Sequence, residues 1–479
     1  MANAEHLAHI EAGDWNAWRG THPSLAPDLI DADLAGLDLS GLNLAKAHLR
    51  GANLEGARLD GTDLTHATLE GARLHGVSLK EARLDRVQLD FLDFSGANLG
   101  GASFDGATFR GANFSGARLV GSRLDHAQLE GGIFDRADLS DSSFQGTILR
   151  GARFENAILR RIKADGAILE AVELNGVDLE GASFREARAD NAQFRGANLS
   201  RADLSQAGLR GANFHSARLV EARFVGAQCD GASFNHADLE KAHFVNTNLV
   251  GADLYGASLL HAVLDGCLLS DARLGELDFR SPELGRLSFA SADLRKAVFT
   301  GRPLRGVNFR RANLEEADFR KADLEGADLR EARLADANFR HANLKQARLT
   351  GAAAPGADLS GTTLILVQAA GTNLSGADLR FADAIGIDLQ QADLRWTDLR
   401  HADLTRGNLS RARIRGARVR AAKLPSNMLH WKLILSIGQL FSSWKKRSEQ
   451  ARKAREQKRI REVADMVRKR KASPRHRSR

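Results

Sequence analysis

Fifteen histidines, two cysteines and a long series of aspartates are the side chains of this 479-residue sequence whose chemistry would matter first. Clustered His, Cys and carboxylates would bind a metal, a positioned carboxylate would serve as general acid or base, and a glycine-rich loop opening a helix would cradle phosphate. The spacing supports none of these. His66, His126 and His236 stand far apart, and no other histidines show ligand spacing. Cys229 takes a position elsewhere given to Leu and Cys267 one given to Ala, so both read as core packing residues. Asp328 and Asp358 are two among many aspartates that return at a fixed interval, and the glycines do the same. Residues that recur everywhere mark no one site. We therefore expect no catalytic residue, no cofactor and no metal, and a protein that is not an enzyme.

The interval itself is the main signal. From Leu29 onward every fifth residue is large and apolar: Leu29, Leu34, Leu39, Leu44, Leu49, Leu54, and so on to Leu409, Ile414, Val419 and Leu424. Of these 80 central positions 72 are Leu or Phe, and 19 of the 22 Phe fall in the register. Two residues before each centre sits a small residue, usually Ala (Ala47, Ala52, Ala57). The residue just before the centre is usually polar (Asn53, Arg58, Asp63), and the second one after is often Gly (Gly51, Gly56, Gly61). A period of five matches neither the 3.6 of a helix nor the 2.0 of a strand. It requires a chain that turns a corner once per repeat, sending one large and one small side chain inward. Glycine after the centre suits a corner with positive φ.

Phenylalanine gives the number of sides. Phe94, Phe114, Phe134 and Phe154 lie twenty apart, Phe194, Phe214 and Phe234 resume that column, and Phe279, Phe299, Phe319 and Phe339 form a second. Aromatic rings stack on like neighbours, so residues twenty apart are expected one above another, in coils of four five-residue sides. The pattern in Gly51-Ala52-Asn53-Leu54-Glu55 and Gly326-Ala327-Asp328-Leu329-Arg330 resembles the pentapeptide-repeat proteins. The resemblance implies an all-β solenoid, a right-handed quadrilateral β-helix. At about 4.8 Å between backbones, about twenty coils over residues 27–424 would make a rod on the order of 95 Å long.

The flanks read differently. Residues 1–26 are expected to form a helical N-terminal cap, with Leu7, Ile10, Trp15 and Trp18 at helical spacing and Asp14 as an N-cap; an open solenoid end needs such cover. The start has neither a basic segment nor an apolar run, so no signal peptide is expected, and the location expected is cytoplasmic, extending to the inner face of the membrane. Residues 425–479 hold 17 Lys or Arg against four Asp or Glu, which leaves 51 against 56 in residues 1–424: +13 in the tail and −5 in the body. Residues 425–444 read as an apolar, aromatic-bounded capping or interfacial helix (Trp431, Leu435, Phe441, Trp444), too short to cross a bilayer. Residues 445–479, opening with Lys445, Lys446 and Arg447, read as a basic helix with a disordered end.

The resemblance also implies a function, mimicry of duplex DNA to occupy a type II topoisomerase such as gyrase. Duplex DNA carries one charge per ≈ 1.7 Å, so a rod of this length would need roughly fifty-five net negative charges. A body of −5 disfavours that reading. One outward column alternates instead, as in Arg150, Glu170, Asp190, Arg210 and Asp230. Two regions break the polar surface rule: Val220, Val225, Val245, Val250, Tyr255 and Leu260, spread over several sides, and the tighter group Ile365, Leu366, Phe381 and Ile385. The second lies in coils whose centres include Ala354, Ala369 and Ala384. The reading is a structural and interaction scaffold: a stiff rod presenting side-chain columns to a protein partner. Its basic segment stands open to an anionic membrane surface or nucleic acid, and its C-terminal end to homodimerisation.

Overall fold

A corner every five residues leaves each side room for little regular strand, and this is what the computed structural model of the chain shows. It describes residues 2–426. The chain forms two compact units, Met1–Arg302 with Val307–Asp318, and Pro303–Gly306 with Phe319–Arg479.

In both units the residue before each centre pairs in parallel with the residue twenty further on, as in Asp33↔Asn53 and Arg118↔Asp138 of the first and Asp358↔Asp378 and Asp383↔Asp403 of the second. Most of these pairings are single bridges. Among the described residues only β1 (His243–Val245), β2 (Val263–Asp265) and β3 (Glu283–Leu284) extend far enough to be strands, joined in parallel in that order. The all-β expectation is thus met by bridges rather than strands. A five-residue side gives two residues to the corner before the next bridge can form.

Each corner is a β-turn closed by a backbone bond from the small residue to the preceding centre, for example Ala117 N–H to Phe114 O at 2.9 Å. Its third residue has φ near +60°, glycine at many corners and a charged or polar residue at others, as this class of turn requires. The large and small positions together form the core: Phe94, Phe104, Phe109, Phe114 and Phe134 are fully buried, as are Ala102, Ala107 and Ala112 in the small positions. The phenylalanine columns stack, with ring centroids 4.8–5.1 Å apart along Phe94, Phe114, Phe134 and Phe154. Phe279 and Phe299 lie at 4.7 Å, and in the second unit Phe319 and Phe339 at 4.9 Å. Where Ala164 takes a central position the interior void is only ≈ 10 Å³, room for no more than a water.

The N-terminal residues form α1 (Ala4–Glu11) and α2 (Trp15–Thr21). The side chains of α2 meet backbone groups of Gly41–Ala45: Trp15 Nε1 donates to Asn43 O (2.8 Å), Asn16 bonds Gly41 O and Asn43 N–H, and Arg19 donates to Ala45 O. Two details depart from expectation. α1 buries His6 rather than Leu7 or Ile10, because Asp28 N–H donates to His6 Nδ1 at 2.9 Å. Asp14 makes no side-chain cap to α2 and instead bonds His9 at 2.9 Å. Near residue 282 the coil is irregular, and Arg302, in a small inward position, donates to Arg280 O and Pro282 O.

Candidate interaction surface

The repeat fixes where surface side chains go. The residues before and after each centre, and the corner residue, point outward. Much of the charge there is satisfied locally. In Asp-Leu-Arg repeats the arginine folds back as a two-pronged fork: Arg380 Nε and a terminal nitrogen donate to Asp378 at 2.9 and 2.6 Å, and Arg395 and Arg400 do the same to Asp393 and Asp398. Arg330 bonds hold the Asp328 carboxyl below its ordinary value, and those of Arg395 do so for Asp393. Between coils, Arg150 pairs with Glu170 (3.0 Å), and Arg210 with Asp190 and Asp230 (3.7 and 3.2 Å). Among the described residues no group of three His, Cys, Asp or Glu is placed to hold a metal ion. Burial pushes the Cys229 thiol well up and that of Cys267 up to about 11, leaving little thiolate for chemistry at neutral pH.

The two regions singled out in the sequence take different forms. Val220, Val225, Val245 and Val250 are half-buried, and only Tyr255 and Leu260 are exposed. Tyr255 borders a polar groove of ≈ 360 Å³ in the first unit. Its hydroxyl donates to Glu276 (3.0 Å), while Arg273 pairs with Asp253 and Arg295 with Asp293. The groove's charges largely answer one another.

In the second region, within the second unit, Ile365 and Ile385 are half-buried as well, and Leu366 and Phe381 are exposed. Ile365 and Ile385 stand twenty apart in one outward column, and Leu366 N–H donates to Ile385 O (3.0 Å). Leu366 and Phe381 occupy the two corners that bound this side, both at positive φ and 53% and 63% exposed. The Phe381 ring lies parallel to that of His401, 4.9 Å away. Leu366 leans along the coil axis, so that a Cβ added at Gly386 would sit 2.9 Å from its Cδ2. The sequence reading passed over Trp396, which is 66% exposed at another corner and lies over Gly416. Its signal was an aromatic residue in a register position mostly given to glycine or a polar side chain. Within the patch the carboxylate of Asp383 has a buried oxygen without a hydrogen-bond partner, whereas Asp403, Asp378 and Asp398 each accept the N–H of the residue two further on. Trp431, Leu435, Phe441, Trp444, Lys445, Lys446 and Arg447 lie outside the described residues.

No curated protein matches the chain. Among solved structures it is similar to HetL, a pentapeptide repeat protein involved in heterocyst differentiation regulation in Nostoc sp. strain PCC 7120: 28% identity over 57% of this chain and 96% of that one, TM-score 0.18. It is also similar to QnrB1, a plasmid-mediated fluoroquinolone resistance protein (24% identity, 44% and 88% covered, TM-score 0.26), and to Rfr23 of the cyanobacterium Cyanothece 51142 (20%, 32% and 87%, TM-score 0.13). TM-scores this low add nothing to what the repeats themselves say. Those repeats are matched directly. The profile described as Pentapeptide repeats (8 copies) covers residues 28–161 in overlapping segments, 232–271, and 292–424 again in overlap, and a pentapeptide repeat region covers 167–244. Matched over more than half its length, and with the five-residue register visible in its backbone pairing, the chain belongs to the pentapeptide-repeat family.

Proposed function

We propose that this protein is a non-enzymatic scaffold: a right-handed quadrilateral β-helix of about twenty coils, capped by α1 and α2, that presents outward side-chain columns to a protein partner. In this reading residues 445–479 attach it to an anionic surface. The observation that carries the proposal is the separation of charge. Several described repeats fold an arginine onto their own aspartate, while the surplus of +13 belongs to residues 425–479. A polybasic segment beside an apolar, aromatic-bounded one suits the headgroup region of an anionic membrane, which would put the protein in the cytoplasm at the inner face of the membrane. Mimicry of DNA to bind gyrase is the weaker reading, since the net −5 of residues 1–424 falls far short of the roughly fifty-five negative charges that a rod of that length would need.

Flotation of the full chain with anionic and with neutral vesicles tests this. Binding to anionic vesicles alone is expected, falling at least about tenfold between 50 and 200 mM salt, and lost on deletion of residues 445–479 while the solenoid stays folded. Duplex DNA in place of vesicles separates a lipid surface from nucleic acid. Salt-insensitive association, or none to either polyanion, would end the attachment reading.

A further inference from the structure

The patch of the second unit has an occupant suggested by where the chain goes next. Ile365, Ile385, Thr405 and Pro425 fall at intervals of twenty, and the bridges Thr363↔Asp383 and Asp383↔Asp403↔Lys423 stack their sides one on another. The chain therefore leaves its described part, which ends at Ser426, on the same side and in the same column as the patch. Two coils of about 4.8 Å put Pro425 about 10 Å from Ile385, and three put it about 15 Å from Ile365. Residues 427–430, extended, reach about 13 Å. The next fourteen, Trp431–Trp444, are rich in Trp, Leu, Ile and Phe and too few to cross a bilayer.

The composition of this segment fits the patch: Leu433, Ile434, Leu435, Ile437 and Leu440 are apolar, as Ile365, Leu366, Phe381 and Ile385 are. We propose that residues 431–444 turn back within the same chain and lie across Ile365, Leu366, Phe381 and Ile385. A short tether gives the segment a high effective concentration at its own patch, which favours the same chain over a second copy. The inference does not depend on the attachment reading, which rests on residues 445–479.

The test uses the full chain with Ile385→Cys and Leu435→Cys and a short bis-maleimide linker; the native cysteines are buried. A linked species of monomer mass is expected. A linked dimer would assign the patch to a second copy, and the absence of any link would leave it uncovered; either result overturns the proposal. Independently, Ile385→Asp in the full chain is expected to speed tryptic cleavage after Lys432 at least tenfold while cleavage within residues 29–424 stays unchanged. An unchanged rate at Lys432 would also overturn it.

Discussion

Two ring stacks in this protein share one geometry and differ in everything else. Phe94, Phe114, Phe134 and Phe154 lie face to face at 4.8–5.1 Å in the core of the first unit, at most 2% exposed. Phe381 and His401, also twenty residues apart, lie face to face at 4.9 Å at a corner of the second unit, with Phe381 63% exposed. Parallel stacking is thus a product of the coil repeat and says nothing by itself about purpose. Exposure separates a stack that holds the fold from one that is available to something else.

The largest effect should fall on the buried stack. Phe114→Ala is expected to destabilise by about 3–5 kcal/mol, through lost burial and the cavity left between two rings. Phe381→Ala should change stability by no more than about 0.5 kcal/mol, as an exposed site. Denaturant melts of the two variants decide the matter. Similar midpoints would mean that both stacks serve the fold and that the distinction fails.

How much of this could be read beforehand follows from the same distinction. The five-residue register, its inward large and small positions and the phenylalanine columns were legible because burial repeats at every coil, so each Leu or Phe reports the same environment. His6 was not legible, because its burial depends on one bond to Asp28 N–H far along the chain. Asp14 looked like a cap by position but found His9 nearer. The patch residues Ile365, Leu366, Phe381 and Ile385 were visible as apolar exceptions to an outward polar rule. Trp396 was missed because an exposed corner is one of twenty columns rather than part of the core pattern, and only the turn of the chain shows what lies beneath its ring. The Asp-Leu-Arg forks were hidden for a related reason: the sequence places the two charges two residues apart, but side-chain direction at the corner decides that they meet.

The corner aromatics offer an effect of intermediate size. Gly416 has φ +77°, and an added Cβ would collide with Cε3 of Trp396. Gly416→Ala is therefore expected to cost about 1–2 kcal/mol for the left-handed backbone alone, with the ring clash added. Trp396→Ala in the same chain should relieve the clash but not the backbone strain, so the double variant should be more stable than the sum of the two single changes implies. Strict additivity in a double-mutant cycle would show that the indole does not lie on Gly416.

Acid should touch the surface forks and spare the stacks. Arg330 and Arg395 hold the carboxyls of Asp328 and Asp393 below their ordinary value. A depressed carboxylate contributes stability that is present above its unfolded value, about 3.9, and is lost as pH falls through the lower folded value. Arginine stays charged throughout. Stability attributable to the forks should therefore hold from neutral pH to about 4 and decline below it, and Asp328→Asn with Asp393→Asn should flatten that decline. A melting temperature that falls just as steeply in the double variant would place the acid sensitivity elsewhere.

The smallest expected effect is the sharpest test of exposure as the criterion, because the first unit holds its own exposed corner aromatic. Phe91 is 79% exposed at φ +60°, and its ring lies over Gly111, where an added Cβ would come within 2.8 Å of Cδ1. In posture it matches Trp396 and resembles Phe381. In company it does not. Both are flanked by charge, Phe91 by Asp90 and Arg110 and Phe381 by Arg380 and Arg400, but Phe91 shares its side with Ser95 and Gly76, whereas Phe381 shares its side with Ile385 and Leu366. Exposure alone would rank the two alike, and both Phe91→Ala and Phe381→Ala should leave stability within about 0.5 kcal/mol of the parent. They should part only in the full chain carrying cysteines at positions 385 and 435. There Phe381→Ala is expected to lower the yield of the internal link and Phe91→Ala to leave it unchanged, since only Phe381 borders the covered surface. Equal yields would mean that an apolar corner ring is merely tolerated in either unit, and that Ile385 and Leu366, rather than Phe381, define the surface.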